Sequence, residues 1–420
     1  MKYSWLLVVL MLLTLNISET RGASTIREVK KTIRNARYHD NAGEAKKISD
    51  GLYAAEKSLI ELLGSTTDQK KKAEIYYVAA QVYSRLNDIE NAKIYLKKPY
   101  DTLTFYNSIC KVYEYLNSCD SVESINNKFK YRAKSRKILL SYRNNLLSGG
   151  RYYMQHKKFD VAFRIFDTYL TSAMYPMLQQ DKLQQKDPIF SKIAYWTVCS
   201  AFLSHDYNGV VKHTPQALGY INKRPEIQEY YCRSLESLNE TDEWVSELKK
   251  GLKEYPDHDY FFATLMAYFS DVKKYNEALF YTDKMIQHNP LNWHYWFVKA
   301  QIHLCKEEYN ETIAACNKVI QLQPKNVDAH YYLGLSYCNL AKLSTDLMKS
   351  VPLNSDLYKK YKSDMILNYN HAEEPLLFVK TSKLEQPSLW APLLYQVYLN
   401  LNKGKEFDEM DRIIKSANYK

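Results

Sequence analysis

Glycine is scarce in this chain, 11 residues in 420, and those present fall in none of the patterns that cradle phosphate. Ser148-Gly149-Gly150 and Lys403-Gly404-Lys405 are the glycine features to weigh, and both lack the GK[ST] that completes a phosphate loop. Histidine and carboxylate spacings are equally bare of chemistry. There is no HExxH, no histidine pair at i and i+4, no Cys/His cluster and no GxSxG elbow. His39-Asp40, His205-Asp206 and His258-Asp259 are sequence neighbours, which a helix or turn points in different directions, so they read as solvated turn residues. The expectation is a non-enzyme, with no catalytic residue, no metal and no cofactor.

The seven cysteines form no CxxC pair, and an odd number at irregular spacing is not a disulfide framework for a chain of this size. Most are expected as small core residues, with a Cys110–Cys119 bridge across a short loop left open. No cysteine precedes Cys110, which excludes a lipidated cysteine at a mature N-terminus. Long apolar runs are missing too, apart from the opening MKYSWLLVVLMLLTLNISETRG. Its apolar stretch from Trp5 to Leu15 follows Lys2 and is about half the ~20 residues that span a bilayer. Residues 1–22 are therefore expected to be a cleaved secretory signal. The mature chain is expected to be soluble and exported, periplasmic or otherwise extracytoplasmic, with no transmembrane segment.

What the chain does have is tyrosine, 38 residues of it, and a period. Pro256, Pro290 and Pro324 stand 34 residues apart, the spacing of a two-helix repeat in which neither helix buries its apolar face alone. YNETIAACNKVIQLQPKN from Tyr309 and YNEALFYTDKMIQHNP from Tyr275 share one order of aromatic, small residue and closing proline. Repeats then start at Ser191, Pro225, Asp259, Trp293 and Val327.

This order resembles the tetratricopeptide repeat family. In the block from Trp293 the family's slots hold Trp296, Lys299, Ala300 and His303, then Tyr309, Thr312, Cys316, Val319 and Pro324. In the block from Asp259 they hold Phe262, Leu265, Met266 and Phe269, then Tyr275, Ala278, Thr282, Met285 and Pro290. Small residues let two helices approach, aromatics fill the gap beside them, and proline stops the second helix. Weaker copies fit Gly150, Tyr153, Phe159, Ala162 and Phe166 from near Arg143, and Tyr76, Ala80, Tyr83, Ala92 and Leu96 from near Ala73. The block from Pro225 departs most, with Trp244 beside its aromatic slot and Ser246 in its small slot, which suggests packing shifted by a residue. The resemblance implies an all-α fold, a right-handed α-solenoid of helix-turn-helix repeats. Residues 23–142 are expected as N-terminal helical hairpins with divergent repeats. Residues 143–420 are expected as the array proper, with insertions near 174–188 and 341–366. In overall style the chain also resembles the exported tetratricopeptide proteins of Bacteroidetes.

In that family the first helices line a concave groove. By resemblance its lining here includes Tyr260, His294, Phe297, Gln301, Asp328 and Tyr331, with Ala263, Ala267 and Leu335. The Lys/Asn/Lys/Arg set that grips chaperone tails is missing from these slots. A second candidate surface is the stretch Lys128 to Lys158, with ten Lys/Arg and no Asp or Glu between Glu123 and Asp160. Its leading residues are Lys128, Lys130, Arg132, Lys134, Arg136, Lys137, Arg143 and Arg151. Basic runs interleaved with aromatics suit nucleic acid, but the export signal argues against that partner. The expected function is an exported, non-catalytic scaffold or adaptor, binding a protein or peptide, an acidic one among the candidates, through the groove and the basic patch. The alternative is a glycan-binding accessory protein of an outer-membrane uptake system. A eukaryotic secretory protein is a third reading, in which Asn239 and Asn310 head glycosylation sequons. The chain is expected to be a monomer, since stacked repeats need no partner to fold.

Overall fold

A left-handed residue closes most of the turns that divide this chain into helices, and in none of them is it glycine. Among the residues described, Lys97, Asn127, Lys157, His205, Asn239, Lys273, Glu307 and Asn402 have φ between 50° and 61°. At each, the following N–H donates to the carbonyl five residues back, as Lys274 does to Phe269 at 2.8 Å and Glu308 to His303 at 2.9 Å. That bond satisfies a carbonyl that the ended helix leaves without an amide. From His205 to Glu307 these turns recur every 34 residues, so the sequence period is the spacing of helical hairpins.

The computed structural model describes residues 22–353 and 355–417, and all of their regular structure is helical. The expected export signal lies, but for Gly22, outside the described residues. Two compact units divide at Trp244/Val245. The first contains α1 (22–35), α2 (Ala42–Ser65), α3 (Gln69–Tyr95), α4 (Thr102–Ile125), α5 (Arg132–Gln155), α6 (Phe159–Ser172), α7 (Leu183–Lys186), α8 (Phe190–Leu203), α9 (Tyr207–Ala217) and α10 (Arg224–Ser237). The division falls within α11 (Thr241–Glu254). The second contains α12 (Asp259–Asp271), α13 (Tyr275–His288), α14 (Trp293–Cys305), α15 (Tyr309–Leu322), α16 (Val327–Lys349), α17 (Asp356–Ser382), α18 (Pro387–Asn400) and α19 (Gly404–Ala417).

In the second unit α14/α15, α16/α17 and α18/α19 pack as hairpins, and first helices also touch first helices, α14 on α16 and α16 on α18. This is stacking of the solenoid kind. Pro256, Pro290 and Pro324 each follow the end of a second helix by two residues, as expected from their missing N–H. Leu248, Thr282 and Cys316, 34 residues apart, are all fully buried. The block from Pro225 therefore keeps the common register, and the expected one-residue shift is not observed. Gly251 shows why: a Cβ there would lie 2.4 Å from the Phe261 ring, so glycine takes the close-contact slot that Met285 and Val319 hold later.

The first unit differs from expectation at Ala73. A helix-turn-helix repeat on its slots would turn between Tyr83 and Ala92, yet α3 runs unbroken from Gln69 to Tyr95. No residue near Asn87 takes a left-handed φ, and the buried Asn87 side chain instead donates to the Phe105 carbonyl at 2.8 Å, tying α3 to α4. The hairpin turn comes later, at Lys97. Beyond it, Gly150 on α5 meets Phe166 on α6 so closely that a Cβ would stand 2.2 Å from the ring. The stretch 174–188 forms a 3-10 helix, Pro176–Asp181, followed by α7, and buries Met177 and Leu178.

Candidate binding groove

Within the second unit, α12 and α14 face each other across a cleft of about 620 Å³. On α12 the lining falls at Asp259, Phe262, Ala263, Met266, Ala267 and Ser270, one helical stripe. On α14 it falls at His294, Tyr295, Val298, Gln301, Ile302 and Cys305, a second stripe, with Asn292 and Tyr275 at the ends. The floor is aromatic. Phe262 and Tyr295 meet edge to face with centroids 4.9 Å apart, and burial pushes the Tyr295 phenol above its usual pKa. The rim is small and polar, with Ala263, Ala267, Ser270, His294 and Cys305 exposed. Asn292 caps α14 by accepting from the His294 N–H at 3.1 Å, which fixes where His294 stands.

Of the groove residues expected from sequence, His294, Gln301, Ala263 and Ala267 meet in this cleft. Tyr260, Phe297, Asp328 and Tyr331 do not line it. Phe297 is half-buried and stacks on Tyr332 of α16, and Gln301 also donates to the Tyr332 hydroxyl at 3.4 Å. Tyr331 is half-buried against a core built from α16 to α19, while Asp328 is exposed. Phe262, Met266, Val298 and Ile302 were missed as site residues because core slots and groove slots adjoin on one helix face. The stripe at i, i+4, i+7 and i+8 through both helices is the signal that identifies them.

The basic stretch is less bare than its sequence suggests. Arg132 makes a bidentate pair with Asp120 of α4, at 2.6 and 2.9 Å, beneath the Phe129 ring. Arg136 pairs with Asp181 of the 174–188 segment. Arg143 is buried, donating to the Tyr169 carbonyl at 2.9 Å and to Asp187 at 3.1 Å. These three carboxylates are distant in sequence, so a count along the stretch could not see them, and Arg143 is structural rather than presented to a partner. Lys130 lies over the Tyr131 ring and Arg151 over Trp196, while Lys128, Lys134 and Lys137 stand exposed.

All seven cysteines are free thiols, Cys110 and Cys119 included, and burial raises the Cys119 thiol to about 12. Among the described residues no cluster of His, Cys, Asp or Glu is placed to hold a metal ion. No described helix is long and apolar enough to cross a membrane.

Two family models match the chain. One, described as tetratricopeptide repeat, covers residues 73–98, and the other, described as anaphase-promoting complex, cyclosome, subunit 3, covers residues 271–345. Together with the 34-residue hairpin register they decide the family. This is a tetratricopeptide-repeat protein. No curated protein matches it. Among solved structures, it is similar to the C-terminal part of a TPR repeat-containing protein from Cytophaga hutchinsonii, 13% identical over 62% of this chain and 97% of that one, with a TM-score of 0.34. It is also similar to pilF of Pseudomonas aeruginosa, 15% identical over 58% of this chain and 98% of that one, with a TM-score of 0.30. The TPR domain of P58(IPK) is 14% identical over 94% of this chain and all of that one, with a TM-score of 0.25. Most of the match over 73–98 falls on α3, so this tetratricopeptide-repeat chain carries the repeat's residues there on one unbroken helix up to the turn at Lys97.

Proposed function

We propose that this protein is an exported, non-catalytic scaffold that holds an extended segment of a partner protein in the cleft between α12 and α14. The observation that carries this is the cleft itself: two first helices flank it, with exposed alanines at its rim and an aromatic floor. Such a surface is open to a bound chain because Ala263 and Ala267 leave room above Phe262 and Met266. Apolar side chains of the partner would settle on the floor, and His294 and Gln301 would meet its backbone groups at the rim. The short apolar stretch Trp5–Leu15 behind Lys2 supports export, and the absence of a catalytic constellation in the sequence supports a holding role.

A photo-crosslinking residue placed at Ala267 in the native cell, with Lys318 as an outer-face control, tests this. The expected result is a protein captured from position 267 and not from 318, whose purified segment binds the chain and is lost with Ala267→Arg. Binding on a glycan array that Ala267→Arg abolishes would instead favour the uptake-accessory alternative and defeat the peptide reading.

A further inference from the structure

We propose that the first unit carries a second and separate site, a cationic cleft between α1, α3 and α5 that takes an extended acidic peptide. The cleft holds about 950 Å³, at the upper end of the ~300–1,000 Å³ of ligand pockets. Arg27, Lys30 and Arg34 enter it from α1, and Glu74, Arg85 and Asp88 from α3. Ile26, Ile33, Ile138 and Tyr142 give it an apolar side.

Its charges do not cancel. Lys30 and Glu74 satisfy each other at 2.5 Å. Asp88, the other anion of the lining, is exposed and faces Arg85, which leaves Arg27 and Arg34 as the cleft's uncompensated charges. Arg85 approaches Asp88 only to 3.6 Å, and its buried Nε has no hydrogen-bond partner. The Arg85 side chain as a whole is one-third exposed, and its guanidinium, held only by this long contact, is open to an incoming carboxylate. Arg27 and Arg34 are exposed and sit two turns apart on one face of α1, about 10 Å along the helix. An extended chain rises about 3.3 Å per residue, so acidic side chains two to four residues apart reach both. The intervening apolar side chains would lie on the isoleucines. The cleft thus presents unpaired positive charge from α1 and α3, whereas Arg132, Arg136 and Arg143 of α5 are paired within the fold.

The test uses the full chain and a fluorescein-labelled peptide of roughly eight residues alternating Glu and Leu, long enough to span the cleft. Its Gln/Leu counterpart and inorganic phosphate serve as competitors. Anisotropy should show the Glu peptide binding and weakening as salt rises, with the Gln peptide at least about tenfold weaker. Arg27→Ser with Arg34→Ser, both on exposed side chains, should weaken it about tenfold, and Arg85→Gln comparably. Ala267→Arg, in the other unit's groove, should leave it unchanged, which separates this site from the groove reading. Equal affinity for the Gln peptide, no effect of the arginine changes, or no binding at all would overturn the proposal. Competition by phosphate as effective as by the Glu peptide would also overturn it, reassigning the cleft to a phosphate ligand.

Discussion

The rings of Phe297 and Tyr332 lie nearly parallel, 17° apart with centroids at 5.5 Å, and join α14 to α16. A residue whose sequence slot marks it as groove lining therefore serves repeat stacking. Phe297→Ala should lower stability by about 2 kcal/mol, from lost apolar burial and the aromatic pair. His294→Ala, at an exposed rim position, should change it by no more than about 0.5 kcal/mol. Urea unfolding midpoints for both variants check this. An unmoved midpoint for Phe297→Ala would return that ring to the binding surface.

The left-handed turn residues give a prediction of opposite sign. Lys273 and Glu307 carry a Cβ at φ 56° and 59°, where a side chain costs roughly 1–2 kcal/mol and glycine costs least. Lys273→Gly and Glu307→Gly should each raise stability by about 0.5–1 kcal/mol, after allowing for the freer unfolded chain. Lys273→Val should destabilise instead. Thermal melts of the three variants distinguish these outcomes, and a destabilising Lys273→Gly would show that its φ is not the strained one.

The 34-residue register, the helix-ending prolines and the buried small slots Ala278 and Ala300 were all legible in the sequence, because each is a local rule repeated at a fixed spacing. The continuity of α3 was not. It depends on whether Asn87 finds a better partner in Phe105, eighteen residues on, than a turn could offer. The groove was half legible: slot numbers located His294 and Gln301, but whether Phe297 faces a ligand or Tyr332 is settled by the next repeat. The charge of the basic stretch misled for a related reason, since its carboxylate partners come from α4 and from the 174–188 segment.

Arg143 and Asp187 form the most enclosed of those pairs, each side chain 11% exposed, with the Tyr169 ring 3.5 Å from the guanidinium carbon. Arg143→Ala should cost about 3 kcal/mol, because it leaves the enclosed Asp187 carboxylate without its cation, held only by the Tyr169 hydroxyl and the Ile189 N–H. Arg143→Met combined with Asp187→Leu should recover much of that loss, since neither charge is then left alone. Lys137→Ser, exposed on the same helix, should be close to neutral. Chemical denaturation of the set tests it, and an Arg143→Ala chain as stable as the parent would mean that the pair contributes nothing to the docking of this segment.

The remaining prediction concerns acid. Asp167 on α6 accepts from the nearly buried His213 and from Lys212, both at 2.6 Å. Burial alone would raise its carboxyl, but the hydrogen bonds from His213 and Lys212 outweigh that, and its pKa falls below the ordinary 3.8. A carboxyl depressed in the folded state binds its proton more readily when unfolded, so its stabilisation is complete above the unfolded value. That stabilisation is lost as pH drops through the folded value. Asp167→Asn should therefore be less stable than the parent at neutral pH by an amount that stays level on acidification to about pH 4, then shrinks. Urea midpoints of parent and variant between neutral pH and about pH 3 measure this gap. A gap that widens in acid would mean that Asp167 is held above its unfolded pKa, and that burial, not its two cations, governs the carboxyl.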